Sequence, residues 1–405
     1  MYLPDWQAQG CFASLSVKCW RFSAIRLQTL TRAVKGTSVV RQALRKFGPV
    51  VLPPLPDRPL ISVLIPNYNY GRFVGLALES VRNQSYGNFE ALVCDDGSTD
   101  NSREVIQEFA SKDSRIKLLP QENRGFASAV NTAYESSEGE VICLLDADDM
   151  FKPRKLQRLL ETFGGNPRSG LCVHPLLPVS AAGQPLGPPS RPDMDRGWIG
   201  PQALKRGGWS ILPSTSSLTF RRQITAEIFP IPREIRRFVD YYLSRTAQFF
   251  TEISIAPEPL TEYRIHGRSM SGISAAAARS ALNSTDPRVL QQYVEDFEEV
   301  LPIQKEFLNR FYGPAIANAL SLDDHPRYWD DLLALRALRG RRDGAIRQFS
   351  VPEMIRHIRH PRYRMIWRAI MLLPAPLAKQ AYRFWRTPSG AKNFVKSLAR
   401  PLLSG

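Results

Sequence analysis

The segment ISVLIPNYNYGRFVGLALESVRNQSYGNFEALVCDDGSTDNS, residues 61–102, decides the fold. Within and just before it, residues 60–65 and 89–94 are short apolar runs, long enough for strands and too apolar to keep one face wet. Between them Phe73, Ala77 and Val81 recur at a helical interval. Working outward, 116–119 and 141–145 are two more strand-like runs. Helical stripes fall between the runs (Val105, Ile106, Phe109; then Phe126, Val130, Ala133), and Leu156, Leu159, Leu160 and Phe163 follow the last of them. The order β-α-β-α-β-α-β-α predicts an α/β fold: a mainly parallel sheet, right-handed crossovers, and helices on both faces. Further on, 218–220 and 253–255 read as two late strands around a helix containing Val239 to Phe249. The Pro- and Gly-rich segment 183–201 reads as an irregular loop over the sheet, and the pattern beyond Ser274 is helical.

In open α/β sheets ligands bind beyond the carboxyl ends of the strands, so the residues leaving each run carry the chemistry. The first run exits into Pro66-Asn67-Tyr68-Asn69, the second into Asp95-Asp96-Gly97-Ser98-Thr99-Asp100, and the fourth into Asp146-Ala147-Asp148-Asp149. Carboxylates from two strands then crowd one edge, where they raise each other's pKa unless a cation or hydrogen-bond donors offset them. A divalent metal is the simplest such cation. Mg²⁺ takes one or two carboxylates plus phosphate oxygens, so a metal here implies a diphosphate ligand. Asp100 or Ser98 can also cap the following helix, and 146–149 can be a polar turn ahead of a helix starting near Pro153.

These motifs in combination resemble the family-2 glycosyltransferases of the GT-A fold. The resemblance runs from residue 60 to 270, through ENRGFASAVNTAYESSEGEVICLLDADD, PSTSSLTFRR (213–222), FVDYYL (238–243) and LTEYRIHGRS (260–269). It implies a nucleotide-diphospho-sugar donor, with Pro66, Tyr68, Asp95 and Asp96 lining the base and ribose pocket. Asn123, Arg124 and Gly125 would lie near the donor ribose or diphosphate. Asp146 and Asp148 match the family's Asp-x-Asp, which implies Mn²⁺ or Mg²⁺ held by Asp148, with Asp149 sharing that role. His266 would bind the metal, or Arg264 and Arg268 the diphosphate. Asp240 would be the general base that deprotonates the acceptor hydroxyl. The sequence departs from the family at Val239, since an acidic pair is common there. No Ser or Cys nucleophile accompanies these motifs, so the implied reaction is a single displacement that inverts the anomeric centre. Gln380-Ala381-Tyr382-Arg383-Phe384 only superficially approaches the Gln-x-x-Arg-Trp of processive members, which favours one transfer per encounter.

With 405 residues, 43% of them hydrophobic and 23% charged, the chain can bury a core and is not a disordered polymer. Its net charge of +16 is unevenly placed: residues 1–58 carry +7 and 325–405 carry +13, while the middle carries −4. Pro53 to Pro59 reads as a stiff linker, so the expected division is a basic flank at 1–58, a catalytic domain at 59–274 and a basic helical region at 275–405. Tyr363, Ile366, Trp367, Ile370 and Met371 form one apolar stripe edged by arginine; Leu377, Ala381, Phe384 and Trp385 form another. Such stripes either lie in an anionic membrane surface or pack on the rest of the protein.

The five cysteines form no Cys-x-x-Cys pair and read as reduced, mostly buried thiols. No stretch of 18 apolar residues and no export signal is evident, so the expected location is the cytoplasm, with peripheral contact at the inner face of the membrane. The expected acceptor is a glycan or a lipid-linked sugar. A non-catalytic nucleotide-sugar or glycan binding protein of the same fold is the alternative. No base-reading motif accompanies the basic flanks, so no specific nucleic-acid partner is expected.

Overall fold

The computed structural model describes residues 47–190, 193–236, 239–267, 286–339, 349–358 and 360–386. Arg268, the extreme N-terminal flank with Cys11 and Cys19, and the C-terminal tail lie outside them.

The quoted segment folds as β1 (Ile61–Asn67), α1 (Gly71–Arg82), β2 (Phe89–Asp96) and the start of α2 (Ser102–Lys112). The alternation continues with β3 (Ile116–Gln121), α3 (Phe126–Glu135), β4 (Val141–Leu144), the short β5 (Met150–Phe151) and α4 (Lys155–Gly165). Then come β6 (Ser169–Val173), β7 (Leu176–Ser180), α5 (Gly200–Lys205), β8 (Thr219–Arg221), α6 (Arg222–Ile228), α7 (Val239–Ala247), β9 (Glu252–Ile255) and β10 (Thr261–Ile265).

Seven strands form one sheet in the order β3-β2-β1-β4-β8-β6-β9. The pairs β1–β2, β2–β3, β1–β4 and β6–β9 are parallel, so the expected α/β architecture with a mainly parallel sheet is present. Only β8 runs against its neighbours, β4 and β6. Helices cover both faces, which is why the strands read as nearly continuous apolar runs. On β1, Ile61, Val63 and Ile65 face a cluster with Val74, Ala77, Leu78 and Val81 of α1, while Leu64 faces the opposite cluster with Val130 of α3.

A second sheet, β5-β10-β7, was not evident from the sequence. Two-residue β5 carries no period, and β7 contains Pro178 and is only partly buried. It forms because β10 pairs with distant segments on both sides, and this places Arg264 and His266 beside the 146–149 turn.

The C-terminal region comprises α8 (Pro287–Tyr312), α9 (Pro314–Ala319), α10 (Tyr328–Arg339), α11 (Val351–His357), α12 (Pro361–Leu372) and α13 (Ala375–Trp385). Val300 and Leu308 of α8 and Ile316 of α9 join the core on the α3 side of the sheet. The remaining helices, with Leu290, Val294 and Phe297 of α8, build a separate core around Trp329, Leu333, Trp367 and Tyr382. Of the two expected apolar stripes, Ile366, Trp367, Ile370 and Trp385 are buried in this helical core. Those residues therefore pack inward. No helix among the described residues is long and apolar enough to cross a membrane.

Candidate functional site

Strand register brings the predicted residues to one edge. Asn67 is opposite Asp95, and Leu64 is opposite Leu144, so the residues after β4 emerge beside those ending β1 and β2. Two loops there are stapled together. Asn69, at φ 57°, accepts from the Thr99 amide at 2.7 Å. Asp100 accepts from Gly71 N (3.0 Å) at the start of α1 and from Ser102 N (3.0 Å) at the start of α2, so it caps as its position suggested.

Asp95 is fully buried and accepts from Asn67 Nδ2 (2.8 Å), Ser98 N (3.2 Å) and Arg103 Nε (2.5 Å). Burial opposes its ionisation, but the bonds from Ser98, Arg103 and Asn67 outweigh burial and hold its pKa below the ordinary carboxylate value. Asp96 accepts from Gln121 Nε2 (2.5 Å) and from the main-chain amides of Arg124 and Gly125, each at 2.8 Å. It therefore anchors the 123–125 turn, in which Gly125 takes φ 91° and Asn123 is exposed. Pro66 is buried within β1, whereas Tyr68 is 44% exposed at the mouth of the edge.

Asp146, Asp148 and Asp149 each offer a carboxylate oxygen, and these oxygens lie within 4.8 Å of one another. The turn is held from below. Asp146 N donates to Ser216 Oγ (2.9 Å), Arg264 N donates to Asp149 Oδ1 (2.8 Å), and Arg264 Nε donates to the Asp148 carbonyl (2.8 Å). Arg264 Nη1 also donates to the carbonyls of Ser180 (3.3 Å) and Ala181 (2.9 Å), so this buried guanidinium ties three segments together. His266 Nε2 lies 2.9 Å from Asp148 Oδ2, and its ring stacks on Phe73 at 4.7 Å.

Burial pushes Asp146 well above the usual carboxylate range, and the charges of Asp149, Asp148 and Asp240 push it further. Burial and the charge of Asp148 do the same to Asp149. Asp148 is raised less, because burial is countered by His266. Among the described residues, the buried Asp146 Oδ1 and Asp149 Oδ2 have no hydrogen-bond partner. Hard oxygen donors, clustered and unsatisfied, fit a divalent cation such as Mg²⁺ or Mn²⁺.

Asp240 stands in the first turn of α7, near enough for its charge to act on Asp146. Burial raises its own pKa. The next residue, Tyr241, contacts Phe297 of α8 at 5.6 Å, so the C-terminal region braces the helix that carries the expected base.

One buried group escaped the sequence reading. Lys155 is fully buried beneath the carboxylates, with Nζ donating to Ser216 O (2.7 Å) and Thr261 Oγ1 (3.0 Å) and lying 3.5 Å above the Phe151 ring. Burial lowers its pKa to about 8. Its signal was its spacing: Lys155, Leu159 and Phe163 share one stripe of α4, so a lysine stands where an apolar residue belongs.

The family described as Glycosyl transferase family 2 matches residues 62–196. An uncharacterised glycosyltransferase of Nostoc sp. is 35% identical over 243 residues, 58% of this chain and 75% of that protein. The Escherichia coli UDP-Glc:alpha-D-GlcNAc-diphosphoundecaprenol beta-1,3-glucosyltransferase WfgD is 44% identical over 102 residues, 25% of this chain and 40% of that protein. Among solved structures, S. aureus TarS 1-349 in complex with UDP-GlcNAc superposes with a TM-score of 0.49 at 17% identity, covering 80% of this chain and 91% of that one.

Proposed function

The chain belongs to glycosyltransferase family 2, and from that premise we propose that it moves a sugar from a nucleotide-diphospho-sugar to a hydroxyl of a glycan or lipid-linked acceptor, with inversion. The observation that carries this reading is the cluster of three carboxylates at the end of β4, with two buried oxygens that have no hydrogen-bond partner among the described residues. Asp148 and Asp149, with Asp146 and His266 beside them, would hold Mn²⁺ or Mg²⁺, which when bound neutralises charge on the departing nucleoside diphosphate.

The chain's own groups do the rest. Asp95 and Asp96, fixed by their donors, shape the edge against which Pro66 and Tyr68 would receive base and ribose, with the 123–125 turn alongside. Arg264 holds the acidic turn in place through main-chain bonds. Asp240 takes the proton of the acceptor hydroxyl as that oxygen bonds to the anomeric carbon and the bond from that carbon to the diphosphate oxygen breaks. One sugar is passed per encounter, in the cytoplasm, in polysaccharide or glycoconjugate synthesis.

Thermal unfolding with UDP-, GDP-, dTDP- and CMP-sugars, with and without Mn²⁺ or Mg²⁺, tests the reading. A donor at about 100 times its Kd adds roughly 2.7 kcal/mol. The expected result is a metal-dependent rise in Tm with one nucleotide class, lost in Asp148→Ala. A rise that survives without metal, or in Asp148→Ala, overturns the metal assignment.

A further inference from the structure

Six of the ten large hydrophobic side chains that stand exposed among the described residues belong to the α12–α13 hairpin. They are not the residues that build the helical core. Ile366, Trp367 and Ile370 point inward, while Met365 and Leu372, seven residues apart on α12, lie along an outer line that also carries Arg368. On α13, Leu377 and Phe384 repeat the same spacing. The two lines meet at a proline-bounded corner where Leu372 is 86% exposed, Leu373 38% and Leu377 50%. Residues 369–378 carry no charge, with Arg368 just before them and Lys379 just after. Across 361–386 there are six basic residues and no acidic one.

We propose that this hairpin docks the protein on an anionic phospholipid surface, with the Leu372–Leu373–Leu377 corner entering the headgroup boundary and the surrounding basic side chains meeting lipid phosphates. The chemistry selects the occupant. A second copy of the same face would set the exposed Arg362, Arg368 and Arg383 against like charges, with no carboxylate in the hairpin to relieve them. A nucleic acid would satisfy the arginines and leave the leucine corner in water. A bilayer with anionic headgroups offers an apolar interior and negative charge in one surface, as an exposed apolar face edged by Arg and Lys requires. Not every basic residue of the hairpin is available: Arg386 packs on Tyr382 and Trp385 near Asp330, and Arg364 donates to the Ile358 carbonyl. Arg362, Arg368 and Arg383 are exposed.

The inference stands independently of the transferase reading, because its test reads lipid rather than sugar. The full chain is sedimented with sucrose-loaded vesicles of phosphatidylcholine alone or with one quarter phosphatidylglycerol. Binding to the anionic vesicles is expected, weakening as salt rises from about 0.1 to 0.5 M, with little binding to phosphatidylcholine alone. Leu372→Asp with Leu377→Asp, and separately Arg362→Glu with Arg368→Glu, should each lower partitioning about tenfold. All these side chains are exposed, so Tm should be unchanged. Wild-type binding by both pairs would place any lipid contact elsewhere in the chain and overturn the proposal. So would equal binding to uncharged vesicles, or a solution dimer that Leu372→Asp with Leu377→Asp dissolves.

Discussion

Asp240 joins two demands that oppose each other. Burial raises its pKa, so protonation favours the folded state. That contribution is complete below the ordinary carboxylate pKa and is lost as pH rises through the raised one. A base must be ionised, so the acid limb of kcat/KM should fall above the usual carboxylate range. Asp240→Asn should cut kcat by about 10²–10⁴-fold while leaving the protein at least as stable as wild type at pH 7.5. Parallel pH-rate and urea-unfolding series check this; an unchanged kcat would remove Asp240 from the chemistry. At this scale the sequence located carboxylates at strand ends but not their partners. Asp95 and Asp96 both stand at the edge, yet what they accept from is set by register: Asn67 across from Asp95, and a turn 28 residues beyond Asp96. Lys155 was hidden for the opposite reason, since a lysine in a helix ordinarily reads as solvated.

Between elements, Gly97 is where the loop after β2 comes up against the 123–125 turn. It has φ 75°, and a Cβ there would lie 2.8 Å from Asn123 N, the start of the turn that Asp96 anchors. Gly97→Ala should cost about 1–3 kcal/mol and push the 123–125 turn away from the edge. Urea unfolding should record the loss, and donor KM should rise more than kcat falls; an unaltered donor KM would detach that turn from the donor. The parallel strands were legible because burial on both faces leaves an apolar run that little else produces. The β5-β10-β7 sheet was not, because its pairing joins segments more than 80 residues apart through strands with no clean alternation. The α12 and α13 helices were legible as helices but not in facing. Both sides of each are apolar, and only packing on Trp329 and its neighbours decides which side turns in.

Over the whole molecule, the described end of the N-terminal flank packs on the fold. Phe47 packs edge-on against Trp198 (5.1 Å) and Tyr312 (4.7 Å), and Tyr312 donates to the Gly48 carbonyl at 2.7 Å. Sequence separation concealed this, since a basic flank and a helix 264 residues away give no local sign of contact. The three described cysteines lie in that interior: Cys94 in β2, Cys143 in β4 and Cys172 in β6, each fully buried. Burial pushes the thiols of Cys94 and Cys172 up to about 12, so a labelling reagent meets neither access nor thiolate in the closed sheet. They are built-in clocks for opening. With Cys11 and Cys19 replaced by Ser, a disulfide reagent at pH 8 should modify the native chain about 10³-fold or more slowly than the urea-unfolded one. Cys94 and Cys172 should react at equal rates, because antiparallel β8 ties β6 to β4 and leaves no seam. A faster Cys172 would instead mark β8 as the line along which the native sheet comes apart.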